Sequence, residues 1–430
     1  MIIQPRILKG FRDFLPAAEI ARRNLIEKIE VSFRSYGFVP IDTPALEYAE
    51  ILLGKGGGET EKQIYRFNDN GGRDVALRFD LTVPFARFLA AHKAELNFPF
   101  KRYHIAKVWR GENTQRGRYR EFTQCDFDII GSSSAASDFE ILHIMQKTLK
   151  SAAGGEVNIH INHRGLFNCF LSRLELLDKS VEILRTVDKL AKIGGEETLE
   201  HLSQIAGSKK AKEILGYIGI NDTFDETLKA MTMAAGEGPE SERLNQIRVF
   251  MIEAGIADSI ILDPSITRGL DYYTGIVFES FLADLTSIGS ICSGGRYDNL
   301  VGLYSNDPMP GVGTSIGIDR LLAGLEALGR LEVQSSYAHI AIACVDKDRS
   351  GAYHALADKL RKHGIPCEVF MEEEKLSKQF QIAEKKGLKW LIIPDKEKPL
   401  ECALTLRDLA KRENREGLTL EEIISSLSGD

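Results

Sequence analysis

The sequence is poor in the features that define several common protein classes. Its 430 residues contain six cysteines, which are widely separated and form no CxxC pair. This spacing argues against a disulfide framework and against a structural zinc site, and it indicates a reducing, cytoplasmic setting. No apolar run approaches the roughly 18 residues of a membrane span, and the N-terminus lacks the regions of a secretion signal. We therefore expect no membrane partner.

Two familiar nucleotide-binding motifs are also missing. The segment LGKGGGET at 53–60 contains glycines and a lysine, but not the GxxxxGK[ST] spacing of a phosphate-binding loop. No GxGxxG follows a first strand, which excludes a dinucleotide fold and leaves no organic cofactor to expect. The histidines His104, His160 and His163 show no ligand spacing, so we expect structural histidines and no metal held by protein ligands.

The charge balance limits the kind of partner surface. The chain has 55 Lys and Arg against 62 Asp and Glu, a net charge of -7, which argues against a wholly basic nucleic-acid-binding surface but leaves a local patch possible. Its length predicts about two to four domains. A hydrophobic fraction of 43% and a charged fraction of 27% are typical of globular proteins.

Hydrophobic periodicity divides the chain into predicted helices and strands, and these group into domains. Helical spacing covers 17–36, and the strand FVPIDTPALEY follows. Further predicted elements are strands at 75–82, 101–112, 119–130 and 157–162 and a helix at 135–152. Leucine-rich helical stretches at about 171–262 indicate an inserted module, after which strands resume at 268–282 and 288–294. The predicted domains are a first core part at 1–170, the helical insertion at 171–262, a second core part at 263–330 and a small α/β domain at 337–430.

The two strands at 101–112 and 119–130 read as an antiparallel hairpin with one polar face. Alternation predicts that this face carries Val108, Arg110, Glu112, Arg120, Phe122, Gln124, Asp126 and Asp128. A guanidinium can hold a phosphate, a ring can stack on a purine, and amide and carboxylate groups can orient a small polar ligand. A solvated sheet face with cross-strand ion pairs fits the same pattern equally well.

Three other segments are candidates for ligand contact. The hairpin loop carries Arg116 and Arg118, which could meet an RNA backbone, although taken alone such a basic loop is more typical of a solvated hairpin. The segment TRGLDYYTGIVFES offers an arginine and two tyrosines, followed by the glycine pair of SGGRYDNL. GVGTSIGIDR has alternating glycines that would let a ligand lie flat on a strand, or that belong to a closely packed strand.

Together these segments resemble the class II aminoacyl-tRNA synthetases, and within them the histidyl-tRNA synthetase family. The first motif is matched by residues 17–44, the second by Arg110, Glu112 and Phe122, and the third by the glycines before Arg320. RGLDYYTGIVFE and SGGRYDNLV resemble the family's two histidine-specific segments. The resemblance implies an α+β fold: an antiparallel sheet core flanked by helices, with a helical insertion and a C-terminal α/β domain that binds the anticodon.

The resemblance also implies roles for individual residues. Around ATP, Arg110 would bind the α-phosphate, Arg320 the γ-phosphate and Glu112 the adenine amino group, while Phe122 stacks on the base. Around histidine, Asp80, Thr82 and Gln124 would hold the α-amino group with Leu81 beside them, Asp128 and Tyr273 would read the imidazole, and Tyr272 and Tyr297 would form the wall. Arg268 would bind the carboxylate and the α-phosphate, and Arg110 and Arg268 would be the catalytic pair.

The implied activity is that of a ligase that joins histidine to tRNA(His) through a histidyl-adenylate, with ATP as substrate together with Mg²⁺. The implied partners are tRNA, L-histidine, ATP and a second copy of the chain, with Arg116 and Arg118 facing the acceptor end. Asp80 stands where many members carry Glu. The alternative is the histidine-sensing regulatory subunit of ATP phosphoribosyltransferase, which resembles the same core. The segments RGLDYY and SGGRYDNL argue against another class II ligase such as a prolyl or threonyl enzyme.

Overall fold

The computed structural model describes residues 2–54, 59–220, 222–267, 273–307, 309–400 and 403–427. The chain divides into two compact units. The first comprises the residues up to Arg12 together with Leu25–Leu331, and the second comprises Asp13–Asn24 together with Glu332–Asp430.

The N-terminal part of the chain forms helices around short strands. Helix α1 begins at a proline, which suits the first helical position because its missing N–H has no helical partner there, and it buries Leu25, Ile29 and Phe33 at helical spacing. The elements are α1 Pro16–Ser35, β1 Val39–Pro40, β2 Leu46–Tyr48, α2 Ala49–Leu53, α3 Glu59–Gln63, β3 Arg66–Asn68, β4 Asp74–Leu77 and α4 Thr82–His92. Strands β2, β4 and β3 form a small antiparallel sheet in that order.

A long hairpin and a buried helix follow. The hairpin strands are β5 Phe100–Trp109 and β6 Glu121–Ile130, after which come α5 Ala135–Ala153 and β7 Val157–His163. Helix α5 has ordinary start and stop signals, because the Ser134 side chain accepts a hydrogen bond from Ala136 N and Gly154 ends the helix in a left-handed conformation.

Six helices then separate the two halves of the main sheet. They are α6 Arg164–Arg173, α7 Ser180–Val187, α8 Leu190–Ala206, α9 Ser208–Ile218, α10 Phe224–Ala235 and α11 Pro239–Glu253. The chain returns through β8 Ile260–Leu262, β9 Ile276–Leu282, β10 Cys292–Arg296, β11 Gly311–Gly317 and α12 Ile318–Ala327. The buried Asp138 of α5 pairs with Arg243 of α11 at 2.5 Å and with Arg296 of β10 at 2.6 Å, which ties the helical segment to the sheet.

The main sheet has eight strands in the order β1-β5-β6-β11-β10-β9-β7-β8. The pairs β1–β5 and β7–β8 are parallel, and the other neighbours are antiparallel. Strands from before and after the helical segment meet at β6–β11 and at β9–β7, so the sequence-distant halves share one sheet. The predicted antiparallel core with helices around it is confirmed.

The second unit carries its own small sheet and core. Its elements are β12 Ile340–Ile342, α13 Ser350–Lys362, β13 Cys367–Val369, α14 Leu376–Lys385, β14 Trp390–Pro394, β15 Leu404–Asp408, β16 Glu413–Leu418 and α15 Leu420–Leu427. The strand order is β13-β12-β14-β15-β16, parallel over the first three strands and antiparallel over the last three. Its core packs Ile340, Ile342, Tyr353 and Leu391.

Several predicted strand boundaries differ from the structure. The predicted strand at 75–82 ends at Leu77, and Thr82 already begins a helix. The reason is local hydrogen bonding: the Asp80 carboxylate accepts from Val83 N at 3.1 Å, so the polar side chain satisfies the first helical turn instead of facing out from a strand.

The hairpin is also shorter than its alternation predicts. The ladder ends at Trp109 and resumes at Glu121, so Arg110, Glu112 and Arg120 lie beyond the regular strands. The segment 38–48, predicted as one strand, forms the two short strands β1 and β2. The predicted strand start at 268 falls at residues outside the described part of the chain, and β9 begins at Ile276.

Candidate active site

The centre of the site is the face of β6 that carries Gln124, Asp126 and Asp128. All three side chains are buried. In the hairpin register they lie opposite Ala106, His104 and Arg102 of β5. Period-two alternation therefore brings an amide and two carboxylates onto one protected face, as the sequence predicts.

Asp128 is held by two side chains. Nη2 of Arg102 lies 2.6 Å from its Oδ2, and the Tyr297 hydroxyl donates to its Oδ1. The Arg102 guanidinium is fully buried and lies 3.9 Å from the centre of the Phe85 ring. Among the described residues, none of the three guanidinium nitrogens of Arg102 makes a hydrogen bond, so its contact with Asp128 is an ion pair. The carboxylate is thus fixed in position by one cation and one hydroxyl.

The sequence analysis missed Arg102. A signal was available, because in an antiparallel hairpin Arg102 is the residue directly opposite Asp128. Arg102 lies on β5 at the end far from the hairpin loop, whereas the residues predicted from this strand lie at the loop end. Ser315 was missed as well, although its Oγ accepts from Gln124 Nε2 at 2.7 Å.

Burial makes the carboxyl groups of this face harder to ionise. It raises the pKa of Asp126 to about 7, an effect that the positive charge of Arg102 opposes and the neighbouring Asp128 reinforces. Burial also raises the pKa of Asp80 to about 6 and the pKa of Asp128 above its ordinary value. A cationic ligand would restore the ionised forms, so the chemistry of this face favours a group such as an ammonium.

Asp80 and Thr82 reach the same face from the start of α4. Thr82 Oγ1 lies 3.4 Å from Asp126 Oδ2. The positive charges of Arg110 and Arg102 act to lower the pKa of Asp80, against the larger effect of burial. Leu81 between them is fully buried. The turn after β4, rather than a regular strand, is what brings both polar side chains to the carboxylate face.

The glycines of β11 make room for protein side chains. Gly313 lies opposite Asp128, and a Cβ at residue 313 would overlap Asp128 Oδ1. A Cβ at Gly311 would lie 2.8 Å from Cε2 of Tyr297. Of the two interpretations of these glycines, a surface for a flat ligand or a closely packed strand, the structure at these two positions shows the close packing, against Asp128 and Tyr297.

A second group of residues surrounds the loop end of the hairpin. Arg110 donates from Nε to Phe79 O at 2.8 Å, and its guanidinium lies 5.2 Å from the Phe122 ring. Glu112 lies between two arginines, with Oε1 3.8 Å from Arg110 Nη1 and Oε2 3.3 Å from Arg118 Nη1.

The loop also reaches the start of α12. A Cβ at Gly117 would lie 3.2 Å from Cα of Arg320, so loop and helix are in close contact. Arg320 Nη1 donates to Ser290 O at 2.5 Å. Arg116 is exposed at the loop tip. Arg110, Glu112, Phe122 and Arg118 are thus linked by direct contacts, and Gly117 of the same loop lies against Arg320.

The remaining predicted site residues come from the segment before β9. Tyr273 is buried, and a Cβ at Gly295 would lie 2.8 Å from its Cδ1. Arg268 and Tyr272 lie outside the described residues. Within the described ranges, no group of three or more His, Cys, Asp or Glu side chains could hold a metal ion. None of the described helices has the length and apolar content to cross a bilayer.

Two solved structures share this architecture. A histidyl-tRNA synthetase from Nostoc superposes with a TM-score of 0.88 at 31% identity, covering 99% of this chain and 100% of that chain. An ATP phosphoribosyltransferase regulatory subunit/histidyl-tRNA synthetase from Bacillus halodurans superposes with a TM-score of 0.76 at 21% identity, covering 91% and 99%, and this likeness concerns the fold alone. The fold is that of a class II aminoacyl-tRNA synthetase.

Sequence comparison identifies the family. Residues 10–321 match the family described as Histidyl-tRNA synthetase, and residues 339–429 match the family described as Anticodon binding domain. A histidine–tRNA ligase from Treponema denticola is 52% identical over 426 residues, covering 96% of this chain and 95% of the relative. One from Rhodopirellula baltica is 46% identical, with 96% of each covered. The chain belongs to the histidyl-tRNA synthetase family, as its motifs predict.

Proposed function

We propose that this protein is a histidine–tRNA ligase, which activates histidine with ATP and transfers it to the 3′ end of tRNA(His). The observation that carries the proposal is the buried Asp128, oriented by Arg102 and Tyr297 on the same sheet face as Gln124 and Asp126. Family membership and full-length relatives named histidine–tRNA ligase support the same activity. The regulatory-subunit alternative is not favoured, because the chain carries the anticodon-binding match at 339–429.

At the amino-acid end, the α-amino group of histidine would lie among Asp80, Thr82 and Gln124, with Leu81 behind them. The raised pKa values of Asp80 and Asp126 support this position. Burial makes these carboxyl groups costly to ionise, and a bound ammonium would stabilise their ionised forms. Asp128 and Tyr273 would contact the imidazole, and Tyr272 and Tyr297 would complete the wall. An apolar amino acid would leave Asp128 without its ligand partner, which is a strong basis for rejection.

At the nucleotide end, Phe122 would stack on adenine, Glu112 would accept from its amino group, and Arg110 and Arg320 would bind the α- and γ-phosphates. The contacts from Arg110 to Phe122 and from the loop to Arg320 support one shared cleft. ATP would enter as its Mg²⁺ complex, so that the metal arrives with the substrate.

The chemistry then follows from charge placement. A carboxylate oxygen of histidine attacks the α-phosphorus of ATP, the bond to the β-phosphate oxygen breaks, and pyrophosphate leaves. Two anionic groups must approach each other, and the positive charges of Arg110 and Arg268 would lower the cost of that approach. In the second step a ribose hydroxyl of the tRNA 3′ end attacks the carbonyl carbon of the adenylate, and AMP leaves.

For tRNA we propose three contact regions. Arg116 and Arg118 at the hairpin loop would meet the acceptor end, since Arg116 is exposed and Arg118 is partly exposed. The helical insertion at 171–262 would contact the acceptor stem, and the domain at 337–430 would bind the anticodon. The catalytic core would consist of 1–170 and 263–330.

We also propose a homodimer in the cytoplasm. Exposed apolar side chains occur on α1 and on the short strands that follow it, and β1 is an edge strand of the main sheet. They are Val31, Val39, Leu46, Tyr48 and Phe67. Such a surface is expected to be covered by a second copy. The free thiols of Cys125, Cys169, Cys344 and Cys367 suit a reducing compartment.

Amino-acid-dependent exchange of pyrophosphate into ATP tests the activity. The proposal predicts exchange with histidine and none above background with proline or threonine. Charging of tRNA(His) by the same preparation tests the second step. Folded protein that binds histidine but supports no exchange would contradict the proposal and would favour a sensing role.

A further inference from the structure

A short N-terminal segment, Gly10–Arg12, lies against the loop end of the hairpin. The Gly10 carbonyl accepts from Arg120 N at 2.9 Å and from Glu121 N at 3.5 Å. Gly10 has φ +88, and a Cβ there would lie 2.7 Å from Arg120 Cγ and 2.9 Å from Thr114 Cγ2. The close approach therefore requires glycine at this position.

Arg12 joins this segment to two other elements. Its guanidinium carbon lies 3.9 Å from the centre of the Tyr119 ring, and its Nη2 pairs with Asp319 Oδ1 at the start of α12. The second oxygen of Asp319 accepts from Thr123 N of β6 at 2.6 Å. One nearly buried carboxylate thus connects the N-terminal segment, the first turn of α12 and the beginning of β6.

The residues next to Asp319 and Thr123 in sequence are proposed ATP contacts. Asp319 directly precedes Arg320, and Thr123 directly follows Phe122. We propose that Gly10–Arg12 is a strap that fixes Arg320 and the 112–120 loop relative to Phe122, with Arg12 as a positioning residue for ATP. The inference rests on the proposed function, because it takes Arg320 and Phe122 as ATP contacts.

Loss of the strap should change the KM for ATP and the KM for histidine to different extents, whereas loss of a purely structural contact should not. The strap touches the nucleotide end of the site, whereas Asp128 and Tyr297 are held by their own partners. Loss of the strap should therefore weaken ATP binding and leave histidine binding nearly unchanged. A general loosening of the fold would raise the KM of both substrates.

The experiment is histidine-dependent pyrophosphate exchange with Arg12→Ala, Arg12→Lys and the control Lys9→Ala, which changes the exposed residue directly before the segment. For Arg12→Ala we expect about a tenfold or larger rise in the KM for ATP, with the KM for histidine within about twofold of wild type. Arg12→Lys should recover part of the effect, since lysine keeps the charge but lacks the planar group that stacks on Tyr119. Lys9→Ala should match wild type.

Thermal unfolding of each variant accompanies the kinetics. If Arg12→Ala does not fold, Arg12→Lys is the deciding variant, and it should raise the KM for ATP at least about threefold with unchanged KM for histidine. Unchanged KM for ATP in the folded variants, or an equal rise for both substrates, would overturn the strap. Failure of the proposed function itself would be visible separately, as absence of exchange in the wild-type protein.

Discussion

Gly313 and Asp128 occupy one packing space, because they lie opposite each other on β11 and β6 and the carboxylate fills the volume of the missing side chain. Gly313→Ala is expected to displace Asp128 and to destabilise the fold by at least about 2 kcal/mol, the scale of overpacking in a core. Histidine-dependent exchange should fall with it. Unfolding in urea measures the stability change.

Gly317 on the same strand is the control. A Cβ there would meet nothing closer than Ile291 O at 3.8 Å. Gly317→Ala should therefore change the free energy of unfolding by less than about 1 kcal/mol. If Gly313→Ala and Gly317→Ala lose equal unfolding free energy, the Asp128 carboxylate is not the reason that residue 313 must be glycine.

Arg102 should be essential to the buried carboxylates. Replacing it by methionine removes the cation that lowers the pKa values of Asp126 and Asp128, so the pKa values of both groups would rise further. We expect a loss of about 3–5 kcal/mol in unfolding free energy, typical of breaking a buried pair. In the double variant Arg102→Met with Asp128→Asn, the loss should be smaller than the sum of the single losses.

Lys101 gives a matched comparison for Arg102. It is the preceding residue of β5, and its ion pair with Glu140 is about one-third exposed on both sides. Lys101→Met should cost less than about 1 kcal/mol, since exposed pairs contribute little. Additive losses in the Arg102–Asp128 cycle would contradict a direct coupling between those two side chains.

The raised pKa of Asp126 predicts a pH-dependent contribution to stability. Because the folded-state pKa of about 7 exceeds the ordinary carboxyl value, the unfolded chain releases this proton first as pH rises. The contribution of Asp126 is therefore fully present below about pH 4 and is lost between about pH 4 and pH 7. Asp126→Asn resembles the protonated acid and should remove that loss.

The measurement is urea unfolding of wild type and Asp126→Asn from about pH 5 to pH 8. The difference in unfolding free energy should shift in favour of the variant as pH rises. His104 and His163, whose pKa values burial lowers to about 4, add a contribution of opposite sign in both proteins, and it cancels in the difference. A difference independent of pH would contradict the raised pKa.

Two substitutions should separate the two ends of the site. Asp128→Asn is expected to raise the KM for histidine by about a hundredfold or more, since a charged partner of the imidazole is lost, with the KM for ATP little changed. Glu112→Gln should raise the KM for ATP by a smaller factor and leave the KM for histidine little changed, because it would weaken a contact to adenine. Exchange kinetics with each substrate varied in turn provide the test. A similar effect of both variants on both substrates would refute the division.

The sequence predicted the elements whose signals are local. Helix α5 has its cap at Ser134 and its glycine at 154, and β6 alternates over its whole length, so both were predictable. Strand β16 was not, because its residues are almost entirely exposed and polar, so its sequence shows no alternation of buried and exposed positions.

The site was predictable where residues share a strand and less so where the contact is between elements. Gln124, Asp126 and Asp128 follow from alternation. Arg102 can be predicted only from the hairpin register. The residues Asp80 and Thr82 alternate in sequence as in a strand, but a side-chain hydrogen bond from Val83 N to Asp80 makes the segment a turn. The connection from Arg12 to Asp319 joins residues 307 positions apart, which no local pattern encodes.

The most direct test of the account is a crystal structure with histidine and a non-hydrolysable ATP analogue. We expect an imidazole nitrogen within hydrogen-bonding distance of Asp128, about 3 Å, and the triphosphate bound by Arg110 and Arg320 in the same cleft. An imidazole bound away from Asp128, or a triphosphate that reaches only one of the two arginines, would contradict the central claim.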